Sequence, residues 1–247
     1  HGPSVKLKKA RITENPKIPK HVNKAVSDTD FKAADAMSYL YKKGYDEHII
    51  TKLLTVGNLG IKQQRKLVPT RWGITATHST LGNHLVNEIK NYQHYDYAVY
   101  VGGYLGNYYL ILMFPDVWQY ELFETIIVEN APFATNYEPY TGRKTYAEET
   151  AGGFYTVRMG SLEKLKQLKR QASVLALRFI NTNEYIAPLG VWVTLEATRK
   201  ALANKPLIFG SKELLLTYAR FFIKKKFNIT TDIIFKQSKI LNNIKVQ

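Results

Sequence analysis

The sequence predicts an α+β protein, an antiparallel meander sheet of about four strands flanked by helices, with a helical part at its N-terminal side. Three observations carry this. Apolar residues recur at helical spacing through the first ninety or so positions. The period then changes to that of a strand from Tyr95 to Val128. A further apolar run, VLALRF, follows between two helical patterns as one more strand of the same sheet. The division expected is 1–94, a basic arm plus helices, and 95–247, a sheet-and-helix part, as one continuous domain.

Taken in order, Val5 to Val26 carries Lys6, Lys8, Lys9, Arg11, Lys17, Lys20 and Lys24 between Pro3, Pro16 and Pro19, a spacing that suits an extended basic arm or a solvated lead-in. Ser27 and Asp30 stand at capping-box spacing before Ala33, Met37 and Leu40, so a helix is expected to open there and to end at Gly44. Asp46 and Glu47 begin the next, with Ile49, Ile50, Leu53 and Leu54. Pro69 lacks an N–H and disfavours helix at Val68, which predicts that the basic run Lys62, Arg65, Lys66 ends a helix and that Arg71-Trp72 sits on a turn. Ser79 or Thr80 then caps a helix bearing Leu81, Leu85, Val86 and Ile89. Three strands follow as a meander, Tyr97 to Val101, Tyr104 to Phe114 and Val117 to Val128. A Pro-rich turn, Ala131 to Tyr140, leads to Thr141 through Gly153 and a helix with Leu162, Leu165 and Leu168. After the strand Ser173 to Ile180 come a helix with Trp192, Leu195 and Ala201, one capped by Ser211, and a short last one with Ile233, Ile234 and Ile240.

Composition narrows the functional classes. Lysine and arginine total 35 against 20 acids, a formal charge of +15, which favours polyanions and salt-dependent binding, with nucleic acid the leading partner. No apolar run is long enough to span a membrane. With no cysteine, thiolate nucleophiles, disulfides and cysteine-ligated metals are excluded, as expected inside a cell. The start, His1-Gly2-Pro3-Ser4, reads as the beginning of a piece of a longer protein. GxGxxG after a strand, GxxxxGK[ST], GxSxG and metal-ligand Cys/His spacings are absent.

The candidate nucleic-acid residues are Arg65, Lys66, Arg71, Trp72, Arg143, Lys144 and Arg170. Guanidinium forks bind phosphate bidentately and an indole face stacks on a base. The plainer reading buries Trp72 under Arg71 and leaves the lysines solvated. Lys166, Lys169 and Arg170 would share one outward helical face, and Arg143 and Lys144 would gain an anion site if a helix started beside them. Tyrosines 95, 97, 100, 104, 108 and 109 form either a stacking platform or ordinary sheet packing. Catalytic carboxylates, if there are any, are Asp28, Asp30, Glu148 and Glu149. The first two read more readily as helix caps and the second two as partners of arginines. No metal or cofactor site is predicted within the chain.

Two blocks, RKLVPTRWGITATHSTLG (Arg65 to Gly82) and GRKTYAEETAGGFY (Gly142 to Tyr155), together with VSDTDFKAAD (Val26 to Asp35), YLGN (Tyr104 to Asn107), RQASVL (Arg170 to Leu175) and APLGVW (Ala187 to Trp192), resemble the archaeal DNA repair protein NreA family over nearly the whole chain. The resemblance implies a role in DNA damage repair, a cytoplasmic, nucleoid-associated location, and contact with the sliding clamp PCNA. It also implies that the chain is the C-terminal two-thirds of a longer protein whose missing N-terminal part often holds a cysteine zinc site. Relatives carry a clamp-binding motif at the extreme C-terminus, of which Gln237-Ser238-Lys239-Ile240 is only the beginning. The leading expectation is a DNA-binding repair factor. The alternatives are a metal-dependent nuclease or phosphohydrolase, and a protein scaffold.

Overall fold

The computed structural model describes residues 9, 11, 14, 17–128, 131–185 and 190–244. Most of the start of the expected basic arm, Ala187 to Leu189 of the APLGVW block, and Gln247 lie outside them. The chain divides into two compact units, 1–67 and 68–247.

The first unit packs helices α1 (Lys20–Ser27), α2 (Ala33–Lys42) and α3 (Glu47–Thr55), burying Val22, Ala25, Ala36, Met37, Leu40, Ile50 and Leu59. The expected capping box is absent. Ser27 is the last residue of α1, and Asp28 Oδ1 instead accepts from the N–H groups of Asp30 and Phe31, an Asx turn that lets the chain reverse before α2. Asp46 caps α3 through the N–H of Ile49 at 2.8 Å, and Gly44 takes the positive φ that ends α2's turn, as expected. Part of the basic arm is helical, α1, with Pro19 at its N-cap.

The second unit contains helices α4 (Thr70–Ile89), α5 (Ala151–Leu168), α6 (Val191–Ala203), α7 (Lys212–Phe227), α8 (Asp232–Gln237) and α9 (Lys239–Asn243). Its strands are β1 (Gln93–His94), β2 (Tyr97–Tyr104), β3 (Asn107–Phe114), β4 (Gln119–Ile126), β5 (Phe133–Glu138), β6 (Arg170–Gln171), β7 (Ser173–Ile180) and β8 (Leu207–Phe209). Among the described residues β1 and β6 form a short parallel pair, and the other six make one sheet in the order β5-β4-β7-β3-β2-β8. The α+β class stands, but the three-strand meander does not. β7, buried along nearly its whole length, inserts between β3 and β4 and runs parallel to β4. A parallel neighbour needs a crossover, and the segment through β5 and α5 supplies it.

β5, one edge strand, lies within the stretch that reads as a Pro-rich turn, and β8 forms the other edge; each is short and flanked by proline or lysine rather than bounded by an apolar run. On one face of the sheet, Leu110, Leu112, Phe114, Phe123, Leu175 and Leu177 pack with Leu215, Ala219, Ile223, Phe235 and Ile240 of α7 to α9. The intervening Tyr109, Ile111 and Met113 are equally buried, on the face covered by α5 and α6, with α4 packed on α5. The sheet tyrosines therefore pack rather than form a platform: Tyr100 and Tyr109 are buried, Tyr108 donates to Glu184, and Tyr104 lies under Lys200. Among the described residues no helix is long and apolar enough to cross a membrane.

Candidate nucleic-acid interface

At the site itself, the departure from expectation lies at Pro69. It does not end a helix but begins one, because a proline at a helix start forgoes only an N–H that has no intrahelical acceptor. Only a single 3-10 turn, Lys62–Gln64, precedes it. α4 then runs without a break from Thr70 to Ile89, so Arg71 and Trp72 occupy its first turn and Ser79 lies in its interior. One face buries Ile74, Thr77, His78, Leu81, Leu85 and Ile89. A neighbouring stripe carries Trp72, Thr75, Ala76, Ser79, Asn83, Val86, Asn87 and Lys90 at helical spacing, apolar at its N-terminal end and polar at its C-terminal end.

That stripe is one wall of two adjoining concavities. Residues 141–146 and the first turns of α5 form the other. The polar one, about 570 Å³, presents Lys90, Arg143, Lys144 and Arg158 against Glu138 as the lone carboxylate, with Ser79, Asn83 and Asn87 beside them. The apolar one, about 620 Å³, is lined by Val68, Trp72, Thr75, Ala76, Ser79, Tyr146 and Tyr155. Ser79, Tyr146 and Tyr155 belong to both.

The floor of the polar cleft is a buried network of hydrogen bonds. Arg158 and Glu138 are nearly fully buried and meet at 2.8 Å (Nε to Oε2), while Arg158 Nη2 also donates to Glu138 Oε1 and to Asn83 Oδ1, both at 2.9 Å. The buried indole of Trp118 donates to the same Glu138 Oε1 at 3.0 Å. Gly82 makes room for the guanidinium, since a Cβ there would overlap Arg158. The wall is stapled by Arg143, which donates to the carbonyls of Tyr137 (2.7 Å), Tyr146 (3.0 Å) and Thr145 (3.3 Å) and lies over the Phe154 ring. Lys90 donates to Tyr140 O at 2.6 Å. Lys144 is exposed and pairs with none of the described residues. α5 starts at Ala151, well past Lys144, so no helix N-terminus stands at Arg143 and Lys144.

The rim is aromatic. Trp72 is 61% exposed and Tyr146 50%, large values for such rings, and Tyr146 stacks on Tyr155 with centroids 5.5 Å apart and planes at 26°. Burial, with a smaller push from Tyr155, raises the Tyr146 phenol above its ordinary 10.0 against an opposing bond with Thr75, so the ring is neutral at physiological pH.

The remaining predicted residues fall as follows. Arg65 is an internal brace of the first unit, its fork donating to Gly60 O (2.6 Å), Val26 O (2.8 Å) and Asp28 O (2.7 Å). Lys66 is exposed, and its carbonyl lies close over Gly57. Lys169 leaves the helix in the left-handed conformation, which places Arg170 on β6 and not beside Lys166; Lys166 itself bridges Glu88 of α4 at 2.9 Å. Asp28 holds its turn, Asp30 and Glu148 are exposed, and Glu149 accepts from Thr135 N at 3.1 Å. Among the described residues no three His, Asp or Glu side chains gather as a metal-binding group. Sequence reasoning missed Lys90, Asn83, Glu138, Tyr146, Tyr155 and Arg158 as parts of one cleft. The available signal was Arg158 itself, a lone cation amid the apolar VRMGSL run.

Fold and site together define an α+β protein with a cationic cleft continuous with an aromatic hollow. The chain belongs to the archaeal Nre family: residues 1–131 match the family's N-terminal model and residues 138–247 its C-terminal model. It is 37% identical over 218 residues to DNA repair protein NreA of Haloferax volcanii, covering 83% of this chain and 51% of that protein. It is likewise 37% identical to two proteins of Archaeoglobus fulgidus, DNA repair protein NreA over 234 residues (91% and 59%) and DNA repair protein NreB over 225 residues (88% and 56%). No solved structure matches. The chain thus spans a little over half the length of the curated relatives it matches. The expected correspondence to a C-terminal two-thirds is corrected, since the match to the N-terminal model begins at residue 1.

Proposed function

We propose that this chain acts in DNA repair by binding DNA through the α4–α5 cleft and its rim. The observation that supports this best is the convergence of an exposed indole, an exposed phenol ring and the unpaired Lys144 on two concavities with shared residues. Arg71, exposed beside Trp72 on a first turn of α4 that holds no acid, adds a second cation. The formal charge of +15 and the names of the relatives agree with a DNA-directed role. Action alongside the sliding clamp PCNA is part of the same reading. Gln237 to Ile240 are folded into the second unit, with Ile240 in its core and Ser238 bonded to Glu121, and so do not serve as a free clamp-binding tail. The DNA concerned is that of the nucleoid.

Binding of labelled duplex and forked DNA across a salt series, with and without Mg²⁺ or Mn²⁺, tests this. Lys144→Ala and Arg71→Ala are each expected to lower the slope of log K against log salt by about 0.9 on duplex, the signature of one lost phosphate contact. Unchanged slopes in both variants would remove the cleft from the interface. Metal-dependent cleavage of the label would instead favour a nuclease.

A further inference from the structure

The two concavities divide the chemistry of a nucleotide between them, and the division selects the form of DNA. The hollow offers flat π faces, Trp72 on α4 and the Tyr146–Tyr155 stack opposite, with apolar Val68 and Ala76 between. At about 620 Å³ it has room for a planar base together with its sugar. Charge lies outside it, at Lys144 in the adjoining cleft and at Arg71 beside the indole. Ser79, lining both, presents a hydroxyl at the junction. In a duplex the faces of each base are covered by their neighbours, so an aromatic rim of this kind can engage a base only after it has left the stack.

Resting on the reading of the chain as a DNA-binding repair factor, we infer that the Trp72/Tyr146/Tyr155 hollow takes an unpaired base of DNA, with its flanking phosphate on Lys144. The preferred substrate class is therefore single-stranded DNA or a duplex carrying a bulged or unopposed nucleotide. Lys144 supplies affinity for any DNA. Trp72 and Tyr146 supply the preference for the unpaired form.

The test uses the full chain and fluorescein-labelled DNA of one sequence context in three forms: single strand, perfect duplex, and duplex with a single bulged nucleotide. Affinities are compared for the wild type, Trp72→Ala, Trp72→Phe and Lys144→Ala, with deoxyadenosine monophosphate as competitor. Trp72→Ala is expected to weaken binding of the single strand and the bulged duplex by roughly 5- to 150-fold, the range for loss of one stacked base, while leaving the perfect duplex within about twofold. Trp72→Phe should restore most of the loss. Of the three tryptophans, Trp118 is buried in the Glu138 network and Trp192 packs edge-on against His78 outside the hollow, so the quenching of protein fluorescence that the single strand causes at Trp72 should be lost in Trp72→Ala. Equal effects of Trp72→Ala on all three DNAs, or no effect on any, would overturn the inference while leaving DNA binding intact. Displacement of the single strand by the free mononucleotide at comparable concentration would overturn DNA as the source of the base. Failure of the wild type to bind any of the three would reject the DNA-binding reading itself.

Discussion

Arg158 shows how a single side chain builds the floor of the cleft. Its guanidinium and the Glu138 carboxylate are buried together, with Trp118 and Asn83 completing the bonds, so each charge is compensated only while the other is present. Arg158→Ala leaves Glu138 buried against the indole alone, and a loss of about 3–5 kcal/mol in unfolding free energy is expected. Gly82→Ala attacks the same pair from α4, because its Cβ would meet a guanidinium held in place by Glu138. Chemical denaturation measures both. Trp72→Ala on the exposed rim should stay within about 0.5 kcal/mol of wild type, and a large loss there would mean the ring is a packing residue.

At the scale of elements, α9 is held by a buried acid on β4. Glu121 accepts from Ser238 Oγ (2.6 Å) and from the N–H groups of Lys239 (3.0 Å) and Ile240 (3.2 Å), so a carboxylate and a hydroxyl cap a five-residue helix that is too short to form alone. Burial raises the Glu121 carboxyl above the ordinary 4.5, opposed in part by those donors, and burial likewise raises Glu124 beside Arg178. A raised carboxyl favours the folded state most when protonated. Its contribution is complete below pH 4.5 and declines as pH rises through the folded value. Glu121→Gln is therefore expected to flatten the fall in stability above pH 4.5, with Glu124 keeping part of the slope. Melting temperatures over that range decide it, and an unaltered slope would assign the pH dependence elsewhere. The same scale explains the misplaced start of α4. Pro69 disfavours helix before itself but is compatible with helix after, and local propensity does not say which side the chain uses.

For the whole molecule, the boundary between compact units falls at Leu67, just before α4. Every residue of the cleft and the hollow lies in the second unit. A fragment beginning at Val68 is expected to unfold cooperatively, since it contains the entire sheet and the helices on both its faces. It should also retain the slope contributions of Arg71 and Lys144. Circular dichroism followed by the same salt series tests this, and a fragment that folds but loses those contributions would place part of the site in residues 1–67.

Much of this protein was legible in the residues. The β period from Tyr97, Asp46 and Ser211 as helix caps, and Gly44 as a terminator all depend on local chemistry, which spacing along a chain expresses directly. The family, too, was carried by contiguous blocks. What required the tertiary structure was everything set by partners distant in sequence. β7 reads as a strand, yet its place between β3 and β4 depends on a crossover, which no local pattern encodes. Arg65 and Arg143 read as phosphate ligands, yet both forks are filled by backbone carbonyls, some of them many residues away, while Lys144 remains open. The cleft itself exists only because α4 runs on through Ser79, bringing Trp72 and Lys90 onto one stripe, and because Glu138 and Arg158, twenty positions apart, cannot be buried except together.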